Sequence, residues 1–143
     1  MGLDNGIMLR HRSQKEVEDN IGVYANVIRE PYVGDEGKHG YYEYEVCYWR
    51  KCWGLRDKIL AILGDKFKDE DYECELTIKD LEAIREIEYG YMCDPDEWDE
   101  NGSTIWDFND MLPHFAKDIV SISWLIEFLK RHPKAYAYFY DSY

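Results

Sequence analysis

The chain has 143 residues, a formal net charge of −13, and a composition that is 45% hydrophobic and 16% aromatic, led by 13 tyrosines. That length predicts a single domain, residues 1–143, and the apolar content excludes a chain that is mainly disordered. The acidity works against direct binding of nucleic acid or of an anionic membrane, and no apolar run of about 18 residues is present to span one.

Gly6 to Arg12 alternates Ile7, Leu9 and His11 against Met8, Arg10 and Arg12, which predicts a short strand with one buried face. Ser13-Gln14-Lys15-Glu16 has the pattern of a capping box and opens a short helix through about Asp19. Ile21, Val23, Ala25 and Val27 alternate again and predict a second strand. Pro31, Gly34, Asp35, Gly37 and Gly40 mark a loop or hairpin tip. Tyr41 to Tyr48 predicts a further strand, with Tyr42, Tyr44 and Val46 on one face and Tyr41, Glu43 and Glu45 on the other. A helix follows, with Trp49, Cys52, Trp53, Leu60 and Leu63 on its buried stripe, Ile59 beside it, and Gly64 as the C-cap. Gly54 inside this helix costs ~1 kcal/mol against alanine, which suggests that another backbone passes close to it.

Asp65 to Glu75 reads as a charged connection. Thr77 then caps a helix with Asp80 at its third position, Leu76 placed to staple onto Leu81, and Ile84, Ile87 and Tyr91 continuing the stripe. Cys93 to Ser103 reads as an acidic loop broken by Pro95 and Asn101-Gly102. The last helix is expected from Asn109 or Asp110, with Pro113 in its first turn. Its stripe is Leu112, Phe115, Ile119, Ile122, Ile126 and Leu129, widened by Trp124 and Leu125. Lys130, Arg131 and His132 complement its C-terminal dipole before Pro133. Ala135 to Tyr140 alternates small and aromatic residues as a C-terminal strand. The sum is an α+β fold: three helices packed on one face of a small, largely antiparallel sheet formed by N-terminal strands and a C-terminal strand. Tyr136, Tyr138 and Tyr140 are then placed to pair with Tyr42 and Tyr44.

The charge is unevenly spread. Asp65 to Asp110 holds 17 acidic and 4 basic residues, while the remaining residues balance at 13 of each. A surface of that kind attracts and steers a basic partner. Chemistry-bearing patterns are otherwise sparse. The four cysteines, Cys47, Cys52, Cys74 and Cys93, lack C-x-x-C spacing and fit reduced, mostly buried thiols. Met1-Gly2-Leu3-Asp4 carries no export pattern. A calcium loop starting at Glu97, with Asp99 and Asn101 at the third and fifth positions and Gly102 at the sixth, fails because its twelfth residue is Phe108. His11, His39, His114 and His132 are scattered, with no nucleophile arrangement and no phosphate-binding glycine loop. No catalytic residue, metal ligand or cofactor is therefore assigned, and an enzyme is not expected.

Met1-Gly2-Leu3-Asp4, Tyr48-Trp49-Arg50-Lys51 and the aromatic tail Tyr136 to Tyr143 together resemble a group of small uncharacterised proteins of bacteriophages and prophages. Members begin Met-Gly-Leu-Asp-Met-Tyr-Leu, and this chain departs from that pattern at Asn5-Gly6-Ile7. The resemblance implies a phage or mobile-element origin and the bacterial cytoplasm, and brings no activity with it. Combined with the charge distribution, it leads to a phage accessory protein acting by protein binding. The expected target is a host defence nuclease or nucleic-acid-binding protein, inhibited in the anti-CRISPR or anti-defence manner by an acidic nucleic-acid mimic. The expected contact residues are Asp69, Glu70, Asp71, Asp96, Glu97 and Asp99. The alternative is a structural or housekeeping module that self-associates through its aromatic sheet edge.

Overall fold

The strand expected near the N-terminus, β1 (Asp4–His11), is the centre of the fold, pairing antiparallel with β3 (Tyr42–Arg50) on one side and with β5 (Tyr136–Ser142) on the other. The computed structural model describes residues 3–21, 31–32, 42–68, 72–103 and 105–142. Among them the sheet runs β2-β3-β1-β5-β4, all antiparallel, where β2 is the pair Pro31–Tyr32 and β4 is Glu73–Leu76. The helices are α1 (Gln14–Ile21), α2 (Trp53–Leu63), α3 (Ile78–Cys93), α4 (Pro95–Asn101) and α5 (Phe108–Arg131). The α+β class and the joining of N- and C-terminal strands follow the sequence pattern.

One core face runs across the sheet. Ile7 and Leu9 of β1, Tyr44 and Val46 of β3, Cys74 and Leu76 of β4, and Ala137 and Phe139 of β5 join Leu55, Ile59, Leu81, Ile84, Phe115, Ile122 and Leu125 from the helices. The register of β1 on β3 shifts between Ile7 and Met8, which face Cys47 and Glu45 and leave Val46 as the extra residue. Such a bulge changes which residues face inward. Before it Tyr44 points to the core; beyond it Cys47 and Trp49 do, and all three are buried. The opposite face carries a polar ladder centred on Arg10. Its guanidinium bonds Glu43 of β3 at 2.5 Å and Glu73 of β4 through two nitrogens, both at 3.0 Å. It also lies 3.9 Å from the Tyr138 ring centroid of β5, tying four strands together.

The capping signals of α3 hold in full: Thr77 Oγ1 accepts from Asp80 N, and Asp80 Oδ2 accepts from Thr77 N. Gly64 closes α2 with φ 57°, a left-handed conformation that suits glycine. Gly54 is indeed a close-approach position. Its N–H donates to Gly102 O at 3.0 Å, and a Cβ there would lie 1.5 Å from Asn101 O.

Several expectations need correction. Five helices are present among the described residues, where the sequence pattern gave three. The charged connection contains β4, and the acidic loop contains α4. Pro95 begins α4 instead of breaking structure: it fits the first turn behind the Asp94 cap, where a missing N–H costs nothing. Pro113 lies deeper in α5 than its first turn, because Asp107 caps that helix earlier than expected. Leu112 is exposed, and Met111 takes the buried place. Trp49 belongs to β3, and Trp53 is 41% exposed at the start of α2, so Leu55, Ile59 and Leu63 form the buried stripe instead. Tyr136, Tyr138 and Tyr140 do not pair with Tyr42 and Tyr44, because β1 intervenes and places Arg10, Met8 and Gly6 opposite them. The strand expected over Ile21 to Val27 lies outside the described residues, except that Ile21 ends α1.

Candidate functional site

The acidic segment folds chiefly into α3 and α4. On α3, Glu82, Glu86, Tyr89 and Cys93 follow helical spacing along the solvent side, and all four are exposed. Tyr89 is 54% exposed, a large aromatic among carboxylates. On α4, Asp96 and Glu100 are exposed. Glu82, Glu86, Asp96 and Glu100 have no side-chain partner among the described residues. Of the cations nearby, Lys66 pairs with Asp80 and Arg85 donates to Ser123 Oγ on α5, while Lys79 is exposed on the first turn of α3.

The six residues expected to contact a partner divide into two groups. Asp69, Glu70 and Asp71 lie outside the described residues. Asp96, Glu97 and Asp99 share α4, where their duties differ. Asp96 is an exposed carboxylate with no partner among the described residues. Glu97 is half-buried, 3.5 Å from Lys58 Nζ and accepting from Asn101 Nδ2 at 3.1 Å. Asp99 Oδ1 accepts from Phe108 N at 2.8 Å, which helps to hold the first residue of α5. The helical backbone of Pro95–Asn101 is incompatible with a calcium loop that starts at Glu97.

The structure also assembles groups that no sequence pattern announced. Glu16 Oε2 lies 2.5 Å from His11 Nε2 and 3.0 Å from His132 Nδ1. Ser13 Oγ accepts from Glu16 N as a capping serine should, while the Glu16 carboxylate is taken up by the two imidazoles. His11 ends β1 and is buried; His132 follows the last turn of α5, stacked on Phe128 at 4.3 Å. The hydrogen bond to His11, reinforced by both rings, holds the Glu16 carboxyl below its usual range. The three residues border a cavity of about 490 Å³ whose rim includes Arg12, Arg131 and Lys134.

A second unannounced group is sealed in the core. Glu88 of α3 is fully buried, no donor reaches either of its oxygens, and its neighbour is the Asp118 carboxyl of α5. Burial, and then the Asp118 charge, push the Glu88 carboxyl well above its ordinary range. Trp49 Nε1 donates to Asp118 Oδ2 at 2.8 Å. A cavity of about 480 Å³ opens nearby between the end of β3 and the start of α5, bordered by Trp49, Trp106, Asp110 and His114. Neither Glu88 nor Asp118 lines it, so the paired acids have no route to a substrate through it. Burial also raises the Cys52 thiol to about 12, too high for a nucleophile at neutral pH. Cys47, Cys52 and Cys74 are buried and Cys93 is exposed, all four as free thiols.

No helix among the described residues is long and apolar enough to cross a membrane. Set against protein-family models, curated proteins and solved structures, the chain matches none of them.

Proposed function

We propose that this protein acts by binding a basic protein, with the solvent faces of α3 and α4 as its contact surface. The observation that carries this reading is the stripe of Glu82, Glu86 and Tyr89 beside Asp96 and Glu100, whose carboxylates lack partners among the described residues. Unpaired carboxylates spaced along a helix give a field that draws in a cationic groove. An exposed tyrosine among them supplies the apolar contact that a purely solvating face lacks. In the phage setting that the sequence resembles, the fitting target is a cytoplasmic host defence nuclease or nucleic-acid-binding protein, whose groove would accept the acidic face in place of nucleic acid. Asp69, Glu70, Asp71, Asp96, Glu97 and Asp99 remain the proposed contacts, with Glu97 and Asp99 also serving the fold. No catalytic step is part of this reading.

The self-associating alternative is weakened by the sheet edge beside β5. There β4 is four residues long, with Glu73 and Glu75 exposed, and Glu73 is held by Arg10. Short, charged edges discourage strand addition. Pull-down from bacterial host lysate distinguishes the two. The expected result is capture of a basic nucleic-acid-binding protein that weakens steeply with salt. Capture should be lost when the six carboxylates, together with Glu82, Glu86 and Glu100, are replaced by their amides. Capture unchanged by both treatments, or a stable homo-oligomer by light scattering with no basic partner, rejects the mimic.

A further inference from the structure

We propose that His11, Glu16 and His132 form a binding site for a divalent transition-metal ion of the zinc type. Their donor atoms, one from each side chain, all lie within 4.8 Å of one another. Two imidazole nitrogens and one carboxylate oxygen are a donor set that suits zinc and its neighbours, and three protein ligands leave a coordination position open.

The way the fold holds the three supports this assignment. Both histidines are oriented by their neighbours. His11 sits at the end of the central strand, paired with Tyr42 and edge-on to Phe128. His132 is stacked on the same Phe128, and its backbone bonds Phe128 O and Ala135 N. Glu16 is the adjustable member, with its side chain 49% exposed on the first turn of α1. Ligands on a tetrahedral zinc with bonds near 2.0–2.1 Å stand roughly 3.3 Å apart. The Glu16 oxygen is now at 2.5 and 3.0 Å from the two nitrogens and retreats by less than about 1 Å to admit the ion, while the two imidazoles, whose nitrogens lie within 4.8 Å of each other, turn to meet the same spacing.

The setting also defines what completes the coordination. The cavity of about 490 Å³ gives the open position access to solvent. Arg12, Arg131 and Lys134 on its rim repel a bare dication but favour an anionic oxygen ligand on a bound one. The site lies at the end of β1, on the first turn of α1 and just past the C-terminal end of α5, and it involves none of the carboxylates proposed to contact a protein partner.

The test is titration of the intact protein with Zn²⁺ by calorimetry, with Co²⁺ as a spectroscopic probe. One equivalent should bind, with weakening of at least about tenfold in His132→Ala and in Glu16→Gln. The Glu16 side chain is 49% exposed and that of His132 20%, and circular dichroism checks that both variants fold. Cys93→Ser should bind unchanged, and the Co²⁺ spectrum should show ligand-field bands without thiolate charge transfer. Absence of stoichiometric binding overturns the proposal. So does binding that survives both substitutions, or a thiolate signature, since these place the ion on the acidic surface or on Cys93.

Discussion

Trp49 Nε1 donates a 2.8 Å hydrogen bond to Asp118 Oδ2 inside the core, joining the end of β3 to the middle of α5. The bond depends on the bulge at Val46, which turns Trp49 inward after five residues of regular alternation. Asp118 is 7% exposed and neighbours the buried Glu88, so the indole N–H stabilises its charge where water has little access. Trp49→Phe keeps an aromatic ring and removes the donor. The expected loss is about 1–3 kcal/mol in urea unfolding, the range for stranding a buried acceptor. Adding Asp118→Asn should recover part of that loss, and strictly additive losses in the double variant would show that the bond carries no coupling.

Glu88 sets a pH dependence of definite sign. In the unfolded chain it titrates near its ordinary 4.5, while in the fold burial and Asp118 hold the proton on to a much higher pH. Above about pH 4.5 the folded state therefore binds more protons than the unfolded state, and this group's contribution to stability falls as pH rises, by up to about 1.4 kcal/mol per unit. Glu88→Gln removes the titration and keeps the shape, with an amide that can donate to Asp118. The variant should gain stability over the parent progressively as pH rises above about 4.5 and show no such gain below it. A constant difference across that range would mean that Glu88 does not hold its proton in the fold.

Gly54 sets helix propensity against packing. By propensity alone, Gly54→Ala in α2 should stabilise by about 1 kcal/mol. The backbone of Asn101 and Gly102 lies against this position, with Asn101 O only 1.5 Å from where a Cβ would stand. A backbone neighbour cannot step aside as a flexible side chain does, so the prediction is a net loss of about 1–3 kcal/mol. The lower Tm should be accompanied by a change in the fluorescence of Trp98, which precedes Gly102 and packs on it. A stabilised Gly54→Ala would place the join between α2 and α4 further apart than described.

What could be read from the sequence was mainly local. Thr77 and Asp80 announce their helix because both partners of the capping box lie within one turn. The alternation of Ile7, Leu9 and His11 reveals β1 because those three residues share its core-facing side, although Met8 on the other side is buried as well. β4 escapes notice because only Cys74 and Leu76 mark its buried side, within a run of charge, and Glu73 is accounted for only by Arg10 on another strand. The signals for α4 were present in the Asp94 cap and in Pro95, but acidic residues on both sides made them resemble a loop. The inward turn of Trp49 depends on a one-residue register shift, which alternation cannot foresee. His11, Glu16 and His132 meet only because β5 returns to lie beside β1 and brings the end of α5 with it. The useful hint was Glu16 itself, a capping-box glutamate whose carboxylate is drawn off to two histidines.

The ion pair between α2 and β5 offers a last prediction. Arg56 Nε and Nη2 both donate to Asp141, the latter at 2.8 Å, and the Asp141 side chain is 1% exposed against 13% for Arg56. Asp141 N also donates to Tyr72 O, so the carboxylate is fixed by its backbone as well as by its partner. A pair this buried is strongly felt when one member is removed, since the other charge remains without water. Arg56→Met, which keeps the length of the aliphatic stem, should cost about 3–5 kcal/mol. Asp141→Asn should cost less, because the arginine lies nearer the surface and can reach water. The double variant Arg56→Met/Asp141→Asn should be more stable than Arg56→Met alone, as no buried charge remains. Equal midpoints for Arg56→Met and the parent in urea unfolding would show that the pair is solvated, and that β5 is held to the helical layer by its apolar residues Ala137 and Phe139 alone.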